Sequence, residues 1–205
     1  MATITPIRVV GIPGSLRQQS YTRFAVQIAL QGARQAGAEV ELLDLRDYDL
    51  LFYNDDIPAA DYPPDVARLQ AAVQSAQGII LGTPEYHAGV SGVLKNALDL
   101  MGFDEFGGKL IGLIGVSGGR MGATNALNSL RTIGRNLHAW VIPHQVSIPA
   151  ARLKFEADGT TNDPDLTARL LDLGAQVTRF ASLHAAGQNP EFLRMWQDAP
   201  ENPGG

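Results

Sequence analysis

Apolar residues along the chain follow two alternating rhythms. In residues 7–12, 78–82 and 110–116 almost every position is apolar. Between these runs, apolar positions recur at three- and four-residue spacing. The first rhythm marks parallel strands covered on both faces, and the second marks helices with one buried stripe. The pattern predicts a strand over 7–12 and a helix over 20–37, with Phe24 and Ile28 in its stripe and Gly37 as its stop. A strand over 40–45 follows. A helix over 65–77 carries Val66, Leu69, Ala72 and Val73. Then come a strand over 78–82, a helix over 90–101, a strand over 110–116, a helix over 123–135 and a strand over 138–142. The last helix spans 163–186, with Asp163 or Asn162 as its N-cap. Residues 46–64 hold Pro58, Pro63 and Pro64 and fit no element. A loop of that length in a compact domain is functional or mobile.

Five strands alternating with five helices predict an α/β fold, a parallel sheet with helices on both faces. The 205 residues suffice for one domain, expected over 1–187. A tail over 188–205 ends in Pro-Glu-Asn-Pro-Gly-Gly, which predicts loose order, with Phe192 and Trp196 either packed on a neighbour or free.

Polar residues collect where three apolar strands stop. In a parallel sheet all three loops share one edge, and ligands bind at the carboxyl ends of the strands. The stretch 9–22 organises the others. Its strand stops at Pro13-Gly14, and Ser15, Arg17, Ser20, Tyr21 and Thr22 crowd one turn before the helix. Orphan N–H groups and the positive end of a helix suit a phosphate. Gly11 and Gly14 alone do not make the dinucleotide pattern, and the absence of lysine excludes a triphosphate loop. Two readings remain: a phosphate monoester held by the hydroxyls and Arg17, or hydroxyls that merely cap the helix.

The second loop is Thr83-Pro84-Glu85-Tyr86-His87-Ala88-Gly89. It reads as a plain strand-to-helix turn, or as the edge of a flat aromatic ligand with Tyr86 beside it. Glu85 is a general acid or base, or a solvated carboxylate. His87 is a base or a ligand, but no second histidine or carboxylate cluster stands at metal spacing, so no metal is expected. The third loop, Ser117-Gly118-Gly119, leaves backbone without bulk. That permits close approach of a ring and offers N–H groups to a carbonyl or an anion; the alternative is a turn before a helix.

Composition removes several classes. Without cysteine there is no disulfide, iron–sulfur cluster, zinc thiolate or thiol catalysis. No Gly-x-Ser-x-Gly elbow supports a hydrolase triad, and His138, His144 and His184 read as structural. A net charge of −5 argues against nucleic acid. No apolar run approaches membrane-spanning length and the N-terminus lacks a basic-then-apolar leader, so a cytoplasmic protein without membrane partners is expected.

Three motifs together carry a resemblance: Gly14-Ser-Leu-Arg-x-x-Ser-x-Thr22, Thr83-Pro-Glu-Tyr-His-x-Gly-Val-x-Gly-Val-Leu-Lys-Asn-Ala-Leu-Asp99, and Lys109 through Ser117-Gly-Gly-Arg-Met-Gly122. The chain resembles the NADPH-dependent FMN reductase family over about residues 7–183. This is the flavodoxin-like group that includes quinone, chromate and azo-dye reductases, and Phe52-Tyr53-Asn54-Asp55 resembles its loop after the second strand. The resemblance implies a flavodoxin-like three-layer fold with strand order 2-1-3-4-5. It implies bound FMN, with the phosphate on Ser15, Arg17, Ser20 and Thr22 and with Tyr21 among the contacts. Pro84, Glu85, Tyr86 and His87 would lie along the ribityl chain and ring, and Ser117, Gly118 and Gly119 would meet the pyrimidine side. The family often has asparagine where Thr22 and His87 stand. No side chain is assigned a catalytic role, because the flavin carries hydride transfer from NADPH or NADH. Arg120 is the candidate for the NADPH ribose phosphate. The acceptor would be a small molecule such as a quinone, flavin, azo compound or metal oxyanion, and the assembly a homodimer or homotetramer. The rival readings are a flavodoxin-like electron carrier and a redox-responsive binding protein that signals through residues 46–64.

Overall fold

The computed structural model describes residues 6–187. The opening apolar run is β1 (Arg8–Pro13). There follow α1 (Tyr21–Gln35), β2 (Glu39–Leu42), α2 (Pro64–Gln74), β3 (Gly78–Tyr86), β4 (Gly89–Val90), α3 (Gly92–Asp99), α4 (Phe103–Phe106), β5 (Leu110–Val116), α5 (Thr124–Asn136), β6 (Trp140–Ile148) and α6 (Pro164–Gly187). The main strands are all parallel, in the order β2-β1-β3-β5-β6. Leaving aside the two-residue β4, this is the flavodoxin-like order 2-1-3-4-5 expected above. Among the described residues no helix is long and apolar enough to cross a membrane.

Successive strand residues point to opposite faces, so the all-apolar runs feed two cores. On one face Val9, Ile80 and Ile114 pack with α1 and α6 through Val26, Leu173 and Val177. On the other, Val10, Ile79, Leu81 and Leu113 pack with α2, α3 and α5 through Leu69, Leu94 and Leu127. Phe106 of the one-turn α4 is fully buried in this second core, inside a segment where the sequence pattern predicts no element.

Several boundaries differ, each for a local reason. Helix α1 ends at Gln35, and Gly37 follows in the left-handed conformation (φ 95°). Strand β2 stops at Leu42, because Asp44 caps a short 3-10 turn over Leu45–Asp47. Helix α2 starts with Pro64 in its first turn, a position that needs no N–H. Strand β3, expected to stop at residue 82, continues to Tyr86. Thr83 and Pro84 pair with Gly115 and Val116, and the chain then reverses through His87 and Ala88 into β4. Both turn residues have positive φ, as a two-residue hairpin requires. Helix α3 therefore starts at Gly92, not at residue 90. Strand β6 spans Trp140–Ile148, well past the expected end at 142. Its register with β5 shifts between Ile111 and Leu113, opposite Pro143, and an edge strand tolerates that proline. Asp163 accepts the Leu166 N–H at 3.0 Å and caps α6 as expected. Phe192 and Trp196 lie outside the described residues.

Candidate functional site

The first loop is fixed by its backbone. Gly14 donates its N–H to the Gly82 carbonyl at 2.7 Å and accepts the Ser91 hydroxyl at 2.7 Å. A Cβ on Gly14 would stand 2.5 Å from the Leu94 Cβ, so the turn can approach β3 and α3 only as glycine. Ser15, Ser20 and Thr22 are buried. The capping reading holds for Ser20, whose Oγ accepts the Arg23 N–H at 3.2 Å. Ser15 Oγ makes only a 3.5 Å contact with the Arg17 N–H, and the Thr22 hydroxyl caps nothing. The Arg17 guanidinium lies over the Tyr21 ring, 5.9 Å from its centre, and pairs with no carboxylate among the described residues.

A second guanidinium braces this loop. Arg23 donates to the Gln18 carbonyl at 2.6 Å and stands 3.6 Å from Asp44 at the end of β2. Asp44 is buried and also receives Arg46, with Nη2 at 2.6 Å and Nε at 3.0 Å. Burial pushes its carboxyl upward. The hydrogen bonds from Arg46 and the charges of Arg46 and Arg23 outweigh that and hold it below the usual carboxylate value.

In the second segment, Thr83 Oγ1 accepts the Ser91 N–H at 3.1 Å and donates to the Pro84 carbonyl at 2.8 Å. Glu85 Oε2 accepts the Ala126 N–H at 2.9 Å. Helix α5 has Ala123 at its N-cap position, which offers no side-chain acceptor. Glu85 thus caps that helix from the neighbouring strand, where its charge also faces the positive end of the helix. This capping role was not among the sequence readings of Glu85, a general acid or base or a solvated carboxylate. His87 sits in the hairpin turn, and among the described residues no three His, Asp or Glu side chains stand close enough to hold a metal.

The third loop is laced to the chain after β6. Ser117 donates its N–H to the Ile148 carbonyl at 2.9 Å and accepts from Ala151 at 3.0 Å. The Gly119 carbonyl accepts the Ala150 N–H at 2.8 Å and the Ser117 hydroxyl at 3.0 Å. A Cβ on Gly118 would meet nothing within 4 Å, so its backbone faces open space.

The three segments surround one cleft of about 400 Å³ at the carboxyl edge of the sheet. Ser15, Arg17, Ser20, Tyr21, Thr22, Pro84, Glu85, Tyr86, Ser117 and Gly118 line it; His87, Gly119 and Arg120 do not. Val116, Ala151 and Arg152 also line it, and the sequence reading missed them. Residues 149–152 hold no glycine-rich or hydroxyl-rich signature. Only a β6 extended to its true end would have brought them to the ligand edge. The cleft has a cationic, hydroxylated end at β1 and an open end with glycine backbone near Tyr86. These two ends fit a phosphate monoester attached to a flat ring.

Other motif residues build the frame. The Asn96 amide accepts the Tyr53 N–H and donates to the Leu51 carbonyl, both at 2.9 Å, and so clamps the 51–53 stretch onto α3. Lys109 stands at the opposite, amino edge of the sheet. It donates to the Val73 and Ala76 carbonyls at the end of α2, and burial lowers its pKa to about 8. The three histidines read as structural lie away from the cleft. His138 stacks on Phe103 at 4.4 Å, His184 lies beside Trp140, and His144 stands 3.8 Å from Asp172.

Residues 7–152 match the model of a family described as NADPH-dependent FMN reductase. An NAD(P)H-dependent FMN reductase of Pseudomonas aeruginosa is 36% identical over 162 residues, covering 77% of this chain and 85% of that protein. An FMN-dependent NADPH-azoreductase of Staphylococcus aureus is 31% identical over 176 residues, covering 83% and 93%. The solved structure of FerB from Paracoccus denitrificans, a flavoenzyme NAD(P)H:(acceptor) oxidoreductase, superposes with a TM-score of 0.73 at 26% identity, covering 87% of this chain and 98% of that one. A family match over most of the described residues, on a flavodoxin-like sheet, establishes that the chain belongs to the NADPH-dependent FMN reductase family.

Proposed function

We propose that the chain binds FMN in the cleft and passes electrons from NAD(P)H to a small acceptor such as a quinone, an azo compound, a free flavin or a metal oxyanion. The carrying observation is the pairing, in one cleft, of the Arg17 end with the open Gly118 end. FMN, when bound, supplies the two-electron chemistry, and the protein binds and orients it. Ser15, Arg17 and Thr22 would hold the phosphate, with the first N–H groups of α1 behind them. Tyr86 would border the ring. The Gly118 N–H, on backbone that faces open space, would stabilise negative charge on a reduced ring. Glu85 spends one oxygen on capping α5, and no catalytic role is assigned to it. An open cleft that admits first nicotinamide and then acceptor to one face supports a ping-pong cycle. Exposed Phe52 and Met121, at 84% and 92% of their possible surface, support a homodimer or homotetramer whose subunits cover them.

The test is the visible spectrum of purified protein with added FMN, followed by anaerobic stopped-flow mixing with NADPH and NADH. Flavin bleaching at a rate that supports turnover with a quinone is the expected result. Absence of flavin uptake, or uptake without direct reduction by either nicotinamide, would overturn it; the second outcome would favour an electron carrier.

A further inference from the structure

The cleft carries a second guanidinium beyond the one assigned to the phosphate. Arg17 and Arg152 both line it, and neither pairs with a carboxylate among the described residues. Glu85 is the one carboxylate lining the cleft among those residues, and one of its oxygens is taken by the Ala126 N–H. This local excess stands out in a chain whose net charge is −5.

The two arginines rise from opposite ends of the cleft. Arg17 rises from the loop after β1 and Arg152 from the turn after β6, and β3 and β5 lie between those strands. Three inter-strand spacings of ~4.8 Å separate the two by roughly 14 Å at the strand ends.

The turn bearing Arg152 is firmly built. Ala150 adopts a left-handed conformation (φ 48°), which is uncommon for a residue with a Cβ. It is held by hydrogen bonds from Ala150 to Gly119 (2.8 Å), Ala151 to Ser117 (3.0 Å) and Leu153 to Ala150 (2.8 Å). The base of Arg152 is thereby fixed beside the open backbone of Gly118, while the residue itself is exposed at the rim. A guanidinium so mounted suits a planar or tetrahedral oxyanion carried by a molecule lying over the open end of the cleft.

Resting on the FMN assignment above, we propose that Arg152 forms an anion subsite at the β6 end of the cleft for the negatively charged group of the molecule exchanging electrons there. The shared chemistry is an oxyanion, drawn either from a charged acceptor (sulfonate, carboxylate or inorganic oxyanion) or from the ribose phosphate of NADPH. Arg152 binds and orients this group and takes no part in the chemical step.

The experiment uses FMN-loaded, oxidised protein without reductant. Calorimetry compares 1,4-naphthoquinone-2-sulfonate with 1,4-naphthoquinone, and NADP⁺ with NAD⁺, for the parent, Arg152→Ala and Arg152→Lys. In Arg152→Ala the preference for the charged member of one pair falls about threefold to fivefold at low salt, the scale of one exposed ion pair. Arg152→Lys restores part of it, and raised salt erases the difference. A loss confined to the quinone pair names the acceptor as the source; a loss confined to the nicotinamide pair names the co-substrate phosphate. FMN affinity, read by quenching of flavin fluorescence, separates the two levels of the argument. A parent that takes up no FMN overturns the flavin assignment and the subsite with it. Variants that take up FMN yet keep both preferences unchanged overturn the subsite alone. So does an Arg152→Ala protein whose main defect is weakened FMN binding, since Arg152 would then be holding the flavin.

Discussion

The Ser91 hydroxyl donates to the Gly14 carbonyl at 2.7 Å, and the two residues are 77 apart in sequence. The same oxygen accepts the Leu94 N–H at 3.3 Å as the N-cap of α3. One buried side chain therefore fixes both the start of a helix and the turn of the first loop. Ser91→Ala removes the cap and leaves a buried carbonyl without its partner. The expected cost is about 1–3 kcal/mol. Thermal unfolding should drop by several degrees, and FMN should bind more weakly because Gly14 is no longer held. An unchanged melting temperature would show that the loop keeps its shape without this link.

Arg17 is the charged end of the proposed phosphate site. Arg17→Ala should raise the FMN dissociation constant about tenfold or more, the scale of a charge-assisted hydrogen bond. Arg17→Lys keeps the charge but loses the forked geometry and should fall between the two. Riboflavin lacks the phosphate and supplies the control: its affinity should not respond to either substitution. Equal losses for FMN and riboflavin would assign Arg17 to the ring.

The unequal legibility of the site has a physical cause. The fully apolar runs at β1 and β5 could be read because central parallel strands are covered on both faces, and that leaves an unbroken signature. Strand β6 is an edge strand of mixed burial interrupted by Pro143, so its pattern stops early and Arg152 stays hidden behind the apparent end. Strand β3 ran on past residue 82 because Thr83 and Pro84 pair with β5, a tertiary fact that the turn-like composition of Thr83 to Gly89 does not carry. Hydroxyls before α1 were visible as a group. Which of them caps and which faces the cleft depended on the helix starting at Tyr21.

Glu85 and Ala126 make a prediction about stability. Helix α5 borrows its N-terminal acceptor from β3, at 2.9 Å. Glu85→Ala should destabilise the fold by about 0.5–2 kcal/mol, and Glu85→Gln by less, because the amide still offers an oxygen but no charge. Denaturant titration measures the loss. Hydrogen exchange should localise it to the first turn of α5. A loss spread evenly over the sheet would contradict this account.

Asp44 predicts an acid limb. Its carboxyl titrates below the usual carboxylate value in the folded chain, because the hydrogen bonds and charges of the two arginines outweigh burial. A depressed folded value means that the unfolded chain binds its proton first as pH falls. The stabilisation is therefore complete above about pH 4 and is lost as pH falls through the lower, folded value. Asp44→Asn should be less stable than the parent at pH 7. Its stability should also fall less steeply below pH 4, as followed by denaturant midpoints across that range. Parallel pH profiles for the two proteins would show that Asp44 does not drive the limb.

Two glycines make opposite predictions. Gly174 of α6 faces the backbone of α1, and an added Cβ would fall inside the Ala29 carbonyl oxygen, while one on Gly32 would strike the Leu171 carbonyl. Helices α1 and α6 therefore cross at backbone contact, where a methyl group must push one helix off the sheet. Gly174→Ala should cost about 1–3 kcal/mol or more, as overpacked cores do. Gly92 is the first residue of α3, its φ is not positive, and a Cβ there would meet nothing within 4 Å. Gly92→Ala should therefore be neutral or stabilising by up to ~1 kcal/mol, since alanine loses less backbone freedom on entering a helix. Melting temperatures of the two variants should move in opposite directions. A Gly174→Ala protein as stable as its parent would mean that the two helices separate at no cost, contrary to the close-packed crossing seen here.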